Sequence, residues 1–158
     1  MLSIRFAKLQ DAALLTALIR ELAEHDRLAD EAMVTEDDVV RDGFGSQPKF
    51  RALIAEWDGK AAGYACFFPF YSTFQGRAGL FLDDIYVRPE FRRKGIGKAL
   101  LGRVARIARE EDYFCLRWEV LNWNALAVQF FESRGALFMD EWRSALLIGD
   151  ALEEAAKL

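Results

Sequence analysis

Apolar residues recur along the first half of the chain with two periods, and each period predicts a type of element. One set recurs at helical spacing after Asp11, which we expect to cap the helix. This set comprises Leu14, Leu15, Leu18, Ile19 and Leu22. Thr35, with Asp38 three residues on, predicts the start of a second, short helix. Three apolar runs predict strands: 2–6, 50–57 and 61–71. Asp58 and Gly59 predict a hairpin turn between the last two.

Beyond the third predicted strand, the sequence predicts strands that alternate with a helix. An apolar run over 80–87 predicts a strand, a helix begins near Lys98, and residues 114–120 alternate as the next strand. We expect the whole unit over 80–120 to be a right-handed crossover between neighbouring parallel strands.

The C-terminal part of the chain predicts one more helix and the close of the sheet. Asn124 is placed to cap the helix, and Gly135 to end it. Apolar residues over 136–148 predict one or two closing strands. The order β-α-α-β-β-β-α-β-α-β predicts a single α/β domain over 1–158, with a mixed central sheet flanked by helices.

The loop after the predicted strand over 80–87 carries the clearest chemical signal. Gly95 and Gly97 leave room for the backbone to lie close to a ligand. The helix that follows directs unpaired N–H groups and a partial positive charge into the same space. Four cations cluster there: Arg92, Arg93, Lys94 and Lys98. The loop therefore predicts a phosphate or pyrophosphate site at a helix N-terminus.

Two common phosphate motifs do not fit this loop. It does not read GxxxxGK[ST], which excludes a nucleoside-triphosphate P-loop. Leu100 stands where the dinucleotide fingerprint GxGxxG requires its third glycine. The acidic residue expected about 20 residues on is also absent, because Cys115, Leu116 and Arg117 occupy that region.

Composition and charge narrow the functional classes further. The 158 residues carry a formal net charge of −4, which argues against general nucleic-acid binding. No apolar run reaches the ~18 residues of a membrane span, and charged residues interrupt the N-terminal segment, so we expect no signal peptide. Cys66 and Cys115 are predicted to be free thiols in a reducing cytoplasm. His25 and these cysteines form no metal-ligand pattern, so we expect no metal.

The pattern RxxGxG over 92–97 resembles the acetyl-CoA loop of the GNAT superfamily of N-acetyltransferases. LIRELAEH at 18–25, VTEDDVVRDGFG at 34–45, DDIYV at 83–87 and NWNALAVQFFESRGA at 122–136 look like the spermidine/spermine and thialysine acetyltransferases of that superfamily. The resemblance implies a GNAT-like fold, acetyl-CoA as co-substrate and direct acetyl transfer to a primary amine. The substrate implied is a small cation: a polyamine, a diamine or a thialysine- or lysine-like amino acid.

Such a substrate sets a chemical requirement that the acidic residues address. An alkylammonium with a pKa near 10.4 must lose a proton before it attacks a thioester. Asp83 and Asp84 are the candidate catalytic carboxylates, and a strand would point them to opposite faces. The resemblance implies that Asp83 binds substrate and connects to the base through water, with Asp84 close by. For either residue, a solvated carboxylate or a turn cap is the alternative.

The resemblance also implies further substrate-binding and cofactor-binding residues. His25 and Asp26 match amine-binding positions, although a solvated polar turn would also explain them. The segment Arg117, Trp118 and Glu119 matches a substrate-lining strand, although Trp118 could instead be core. The cofactor-binding set implied is Ile85, Tyr86, Val87, Arg92, Arg93, Lys94, Gly95, Ile96, Gly97, Lys98, Asn124 and Phe131. Within it, backbone N–H groups at 85–87 would face the acetyl carbonyl, often through a bulge, and those at 93–98 the pyrophosphate. Asn124 would contact the pantetheine arm, with the N-cap as its alternative role.

Phe131 departs from the family pattern, because a tyrosine normally stands there and donates a proton to the CoA thiolate. Three interpretations remain open. Water or another hydroxyl, such as that of Tyr86 or Tyr71, replaces it; the enzyme is slow; or the domain binds acetyl-CoA without catalysis. A GNAT enzyme for another amine, such as an amino acid, an antibiotic or a protein lysine, is a further alternative. The resemblance also implies a homodimer, and the aromatic run FFPFYSTF over 67–74 is consistent with one. A buried strand with a bend at Pro69 is the alternative explanation of this run.

Overall fold

A computed structural model describes residues 1–158 and contains five strands and five α-helices. The strands are β1 (Leu2–Phe6), β2 (Arg51–Trp57), β3 (Lys60–Ser72), β4 (Arg77–Val87) and β5 (Leu116–Arg117). The helices are α1 (Ala12–His25), α2 (Glu36–Phe44), α3 (Ile96–Glu110), α4 (Ala125–Glu132) and α5 (Asp150–Ala155). Short 3₁₀ turns cover Leu9–Asp11, Ala29–Glu31 and Pro89–Phe91. No helix is long and apolar enough to cross a membrane.

The five strands form one sheet in the order β1-β2-β3-β4-β5. The first three pairings are antiparallel, and β4 pairs with β5 in parallel. The connection from β4 to β5 runs through α3, so the predicted crossover between neighbouring parallel strands is confirmed. The mixed sheet flanked by helices confirms the predicted α/β class.

Apolar side chains cover both faces of the sheet, as expected for strands that are near-continuous apolar runs. On one face, Leu53, Phe67 and Leu80 pack against Ile96, Leu100, Val104 and Ile107 of α3. On the other face, Ile54, Tyr64 and Cys66 pack against Leu15 and Leu18 of α1 and Val39 of α2. The helices α1, α2 and α3 therefore each bury an apolar stripe on one side of the sheet.

Two of the predicted local signals are confirmed at the hydrogen-bond level. The Thr35 hydroxyl accepts a hydrogen bond from the Asp38 N–H at 3.2 Å, and the Asp38 carboxylate accepts one from the Thr35 N–H at 2.9 Å. Asp58 and Gly59 form the β2–β3 hairpin, both with positive φ.

The prediction that the Asp11 side chain caps α1 is wrong. Asp11 occupies the N-cap position, but its carboxylate makes no cap hydrogen bond. It instead accepts two from the Arg5 guanidinium, at 2.7 and 2.9 Å, and one from the Lys8 N–H at 2.7 Å. A charged donor pair outcompetes the helix N–H groups, because charge-assisted hydrogen bonds are the stronger ones.

The chain after β4 differs from the prediction. β5 spans only two residues rather than 114–120, the segment 136–148 contains no strand, and α5 was not expected. A strand requires a paired neighbour, and no backbone ladder reaches the segment 136–148. The chain falls into two compact units, Met1–Glu119 and Val120–Leu158. The single domain over 1–158 stays a prediction.

Candidate active site

Asp83 is an extra residue in β4. Across the β3–β4 pair, Cys66 lies opposite Asp84, whereas the next residue, Phe67, lies opposite Leu82. Two steps of β4 therefore match one step of β3, and Asp83 has no partner in the ladder, which defines a β-bulge. The bulge reverses the alternation of faces. Leu82 packs on the α3 side of the sheet, and Asp84 faces the side covered by α1 and α2.

β4 extends well beyond its pairing with β5. That pairing ends at Phe81 opposite Arg117, while β4 continues to Val87 with β3 as its only partner. Backbone N–H and C=O groups along this edge of β4 therefore have no neighbouring strand. The predicted acetyl-facing groups at 85–87 lie on this stretch, where an extended ligand could hydrogen-bond to the strand.

The carboxylate of Asp84 is largely buried against β3. The Tyr64 hydroxyl donates a hydrogen bond to Asp84 Oδ2 at 2.9 Å. Burial, followed by the negative charge of Asp83, raises the pKa of Asp84 to about 6, although the Tyr64 hydrogen bond opposes that rise. The carboxylate is therefore ionised above pH 6. Its pKa lies close to the range where a general base is effective.

Three further carboxylates act electrostatically on Asp84 or on its neighbour Asp83. Asp83 is solvent-accessible, but protein around its carboxyl and the charge of Glu119 raise its pKa. Loss of solvation also raises the pKa of Asp26, at the end of α1, and the Asp26 charge in turn raises that of Asp84. We call Asp26, Asp83, Asp84 and Glu119 the acidic cluster. The structure thus brings together four sequence-predicted site residues from three elements.

His25 ends α1 next to this cluster. Its ring lies 6.3 Å from the ring of Tyr86, centroid to centroid. Tyr86 is buried two residues beyond Asp84 on the same face of β4. His25 itself is exposed, so the structure places it beside the candidate site without fixing its role.

The loop before α3 has the geometry of an anion site. Gly95 is the N-cap of α3 with φ 77°, and Arg93 also has a left-handed backbone with φ 62°. A Cβ on Gly95 would meet no atom within 4 Å, and one on Gly97 only Val87 Cγ2 at 3.8 Å. Open space therefore lies over N–H groups at a helix N-terminus, where a pyrophosphate fits. The helix begins at Ile96, close to the predicted start.

Two of the four predicted cations of this loop are held by the protein itself. Arg92 Nε donates to the Val87 carbonyl at 3.0 Å, and its guanidinium lies 5.9 Å from the Tyr86 ring. Lys94 Nζ lies 4.9 Å from the Trp57 ring. Arg93 and Lys98 are exposed and make no ion pair. The side chains of Arg93 and Lys98 are therefore available to an anion, and those of Arg92 and Lys94 stabilise the loop.

The remaining predicted residues lie on β5, directly after it and in the second unit. Arg117 is exposed, and Trp118 packs at the edge of the core on the α3 face, which supports its structural alternative. Asn124 Oδ1 accepts a hydrogen bond from the Ala127 N–H at 3.2 Å, so the N-cap role is confirmed. Phe131 is buried in α4. The cofactor contacts assigned to Asn124 and Phe131 stay predictions.

Tyr64 is the site residue that the sequence analysis missed. It lies in an apolar run, and its side chain is fully buried. A buried phenol requires a hydrogen-bond partner, and that requirement is the signal that could have drawn attention to it. The structure has no group of three or more histidine, cysteine or acidic residues that could hold a metal ion.

Comparisons with known proteins identify the family of the chain. The model of the acetyltransferase (GNAT) family matches residues 14–136. The thialysine N-epsilon-acetyltransferase of Sus scrofa is 37% identical over 164 residues, which cover 97% of this chain and 96% of that protein. The spermidine/spermine N(1)-acetyltransferase-like protein 1 of Homo sapiens is 36% identical over 141 residues, 85% of this chain and 20% of that protein.

A solved structure supports the fold. An integron cassette protein from V. cholerae superposes with a TM-score of 0.82 at 23% identity, over 99% of this chain and 98% of that one. The family model and the curated relatives span most of the chain, including β4 and the glycine loop. This chain therefore belongs to the GNAT family of acetyltransferases and is an N-acetyltransferase that uses acetyl-CoA as its co-substrate.

Proposed function

We propose that the protein transfers an acetyl group from acetyl-CoA directly to a primary amine of a small cationic substrate. The substrate class is a polyamine, a diamine or a thialysine- or lysine-like amino acid. The observation that carries the proposal is the acidic cluster at the bulge of β4, on the strand that leads into the anion-binding loop. The names of the similar proteins from Sus scrofa and Homo sapiens support the same class.

The acidic cluster is suited to a substrate with more than one positive charge. Asp84 is partly buried and ionised above about pH 6, and Asp83 and Glu119 extend the negative potential outward along exposed surface. Neighbouring carboxylates that form no ion pair within the protein gain the most from a ligand that brings positive charges with it. In this proposal one amine reaches Asp84 and a second cationic group lies near Glu119.

The same residues can prepare the amine for attack. An ammonium ion held against Asp84 hands its proton to the carboxylate, directly or through one water molecule. The neutral amine receives no hydrogen bond from another donor. It then faces the edge of β4 that has no neighbouring strand. Orientation at that edge supplies much of the rate advantage, because it replaces a bimolecular encounter by a fixed approach.

Acetyl-CoA would lie along that edge. The residues that would hold it are the backbone at 85–87 and the loop at 93–98, and it supplies the activated acetyl thioester. The N–H groups of β4 are positioned to stabilise negative charge on the acetyl oxygen. Phe131 supplies no proton for the departing thiolate, and a thiol pKa near 8.5 makes this tolerable. Tyr86 and Tyr71 are the two tyrosines whose hydroxyl could replace the missing proton donor. Tyr86 lies beside Arg92 of the loop, whereas Tyr71 is 65% exposed.

Release of CoA by the purified protein, measured with a panel of amines, tests the proposal. The panel contains spermidine, putrescine, thialysine, lysine and a lysine peptide. We expect saturable release with one of the small amines and its loss in Asp83→Ala. Asp112→Ala, an exposed acid paired with Arg77, is the matched control and should keep the activity. Binding of acetyl-CoA with no release from any amine would instead identify a non-catalytic cofactor-binding module.

We also infer a homodimer that works in a reducing cytoplasm. Phe74 is 98% exposed and Tyr71 65% exposed at the end of the aromatic run, and Trp142 and Leu146 are exposed in the second unit. Both cysteines are free thiols. Apolar side chains of this size in contact with water favour association. Sedimentation at micromolar concentration should give twice the monomer mass, and a monomer would contradict the dimer without touching the proposed reaction.

A further inference from the structure

The hydroxyl of Tyr64 hydrogen-bonds to Asp84, and the reaction scheme above gives Tyr64 no task. Tyr64 lies on β3 with no exposed surface, and its hydroxyl donates to Asp84 Oδ2 at 2.9 Å. The second oxygen, Oδ1, accepts no hydrogen bond from the protein. It nevertheless keeps contact with solvent, since no buried polar side-chain atom of the molecule lacks a partner. One oxygen is therefore held by the protein, and the other is left for a ligand.

The charged groups that act on Asp84 are acidic, and the imidazole of His25 lies beside Asp26 and the Tyr86 ring. Asp83 precedes it on β4, Asp26 faces it from the end of α1, and Cys66 lies opposite it on β3. No lysine, arginine or histidine forms an ion pair with Asp84. The phenol of Tyr64 is thus the only protein group that donates to this carboxylate.

We propose that Tyr64 is a positioning residue for acetyl transfer, whose hydroxyl holds Asp84 in one orientation and leaves Oδ1 to accept the substrate amine. The proposal rests on the proposed function, because it assigns a task to Asp84 in that reaction. It adds a residue from β3 to a site otherwise built from β4, the end of α1 and the end of β5.

A phenol meets a requirement here that a cation would not. A lysine or arginine beside Asp84 would neutralise the cluster and repel the ammonium ion that the cluster attracts. Without any donor, the carboxylate would keep its proton up to a higher pH. Burial and the Asp84 charge raise the pKa of Tyr64 far above its ordinary value, so the phenol stays protonated and continues to donate. The pair thus stabilises a negative charge without adding a positive one.

Removal of the hydroxyl has an expected effect with a definite sign. In Tyr64→Phe the ring still fills the core, but Asp84 loses the hydrogen bond that favours its ionised form. We expect the acidic limb of the kcat/KM profile to move to higher pH by about one pH unit, since one hydrogen bond to a buried charge is of that order. Activity should fall roughly fivefold at pH 6 and less than twofold at pH 9.

The experiment compares wild type, Tyr64→Phe and Tyr113→Phe across pH 5 to 9 with the amine that supports CoA release. Tyr113 is a half-buried phenol at the edge of the core on the α3 face, so Tyr113→Phe removes a hydroxyl elsewhere and should leave the profile unchanged. In parallel, ¹³C NMR follows the Asp84 carboxyl in the ligand-free proteins, with Asp84→Asn used to assign the signal. Thermal unfolding of each variant reports on folding.

Each outcome then has one meaning. An upward shift of both the kinetic limb and the Asp84 titration in Tyr64→Phe alone supports the proposal. An unchanged limb in an active, folded Tyr64→Phe overturns it, as does an equal shift in Tyr113→Phe. If wild type releases no CoA with any amine, the proposed function fails first, and the NMR titration still decides whether the phenol holds the charge on Asp84.

Discussion

Leu82 and Asp84 stand two positions apart on β4, yet their side chains lie on opposite faces of the sheet. Leu82 is buried against α3, and Asp84 receives the hydrogen bond of Tyr64 on the face covered by α1 and α2. In a regular strand these two residues would share a face. The inserted Asp83 changes the face, and without it Asp84 would point into an apolar core.

The negative charge of Asp84 lowers the free energy of unfolding, and the site requires that charge. Because the folded-state pKa of Asp84 is about 6, above the unfolded value of 3.8, the folded chain binds the proton more tightly. Stability is therefore highest where Asp84 is protonated in both states and falls as pH rises from about 4 to 6. We expect Asp84→Asn to raise the free energy of unfolding at pH 7.5 by about 1–3 kcal/mol and to abolish acetyl transfer.

Denaturant unfolding of wild type and Asp84→Asn at pH 4, 5, 6 and 7.5 checks this sign. The gain of Asp84→Asn should fall to roughly a fifth of its full size at pH 4 and be nearly complete at pH 7.5. A gain of constant size at every pH would point to packing rather than charge.

The glycine loop predicts different results for three alanine substitutions. Gly97→Ala fits the ligand-free chain, since its Cβ would meet only Val87 at 3.8 Å, but it fills the space proposed for pyrophosphate. We expect acetyl-CoA binding to weaken tenfold or more, about 1.4 kcal/mol, with an unchanged melting temperature. Gly95→Ala should lose both affinity and about 1 kcal/mol of stability, because φ at Gly95 is 77°.

Gly102→Ala is the matched control for this series. Gly102 lies within α3 and a Cβ there meets no atom within 4 Å. The substitution should stabilise the helix by about 0.5–1 kcal/mol and leave cofactor affinity unchanged. Calorimetric titration with acetyl-CoA measures the affinity, and equal weakening in Gly97→Ala and Gly102→Ala would contradict the assignment.

The Arg5–Asp11 pair should stabilise the start of the fold. The Arg5 guanidinium holds the pKa of Asp11 below its ordinary value, and the Asp11 carboxylate is buried. The contribution of the pair to the free energy of unfolding is present above the pKa that Asp11 has in the unfolded chain. It is lost as pH falls through the lower pKa that Asp11 has in the folded state. We expect Arg5→Gln to lower the free energy of unfolding at pH 7 by about 2–3 kcal/mol.

Arg41→Gln is the comparison for Arg5→Gln. Arg41 pairs with Asp38 and Asp42 on the surface, with its side chain 65% exposed, so its loss should destabilise the fold much less than the loss of Arg5. Urea unfolding at pH 7 and pH 3 measures both, and the deficit of Arg5→Gln should shrink at pH 3. Equal effects of the two variants would show that the Arg5–Asp11 pair stabilises the fold no more than a surface pair does.

Phe131→Tyr tests whether a missing proton donor limits the rate. A positioned general acid is worth roughly 10²- to 10⁴-fold, so a hydroxyl at this position should raise kcat when departure of the thiolate is slow. Single-turnover kinetics at pH 7 checks the chemical step, and Phe130→Tyr on the adjacent residue of α4 controls for the added hydroxyl. An unchanged rate in Phe131→Tyr would mean that the thiolate leaves without help.

Local chemistry explains what the sequence predicted correctly. The Thr35–Asp38 box, the Asp58–Gly59 turn and the start of α3 after Gly95 depend on residues within a few positions of each other. Apolar runs placed β1 to β4 for the same reason, because each run reports its own burial.

Features that depend on partners across the sheet could not be predicted in the same way. The bulge at Asp83 is visible only when Cys66 and Phe67 are placed opposite β4, and the contact of Tyr64 with Asp84 follows from that register. The apolar segment over 136–148 was predicted as strand because its composition is typical of one, but a strand also requires a neighbour. Asp11 failed as a cap because Arg5, from another element, binds it.

The free stretch of β4 has a consequence for the protein in solution. An uncovered strand edge is a template on which another chain can add a strand, and proteins commonly protect such edges with charge. Here Asp83 and Glu119 lie beside that edge and are both exposed. The carboxylates that attract a cation therefore also repel a second acidic copy of the chain. A variant with both neutralised would lose the barrier to edge-to-edge aggregation together with its affinity for the amine.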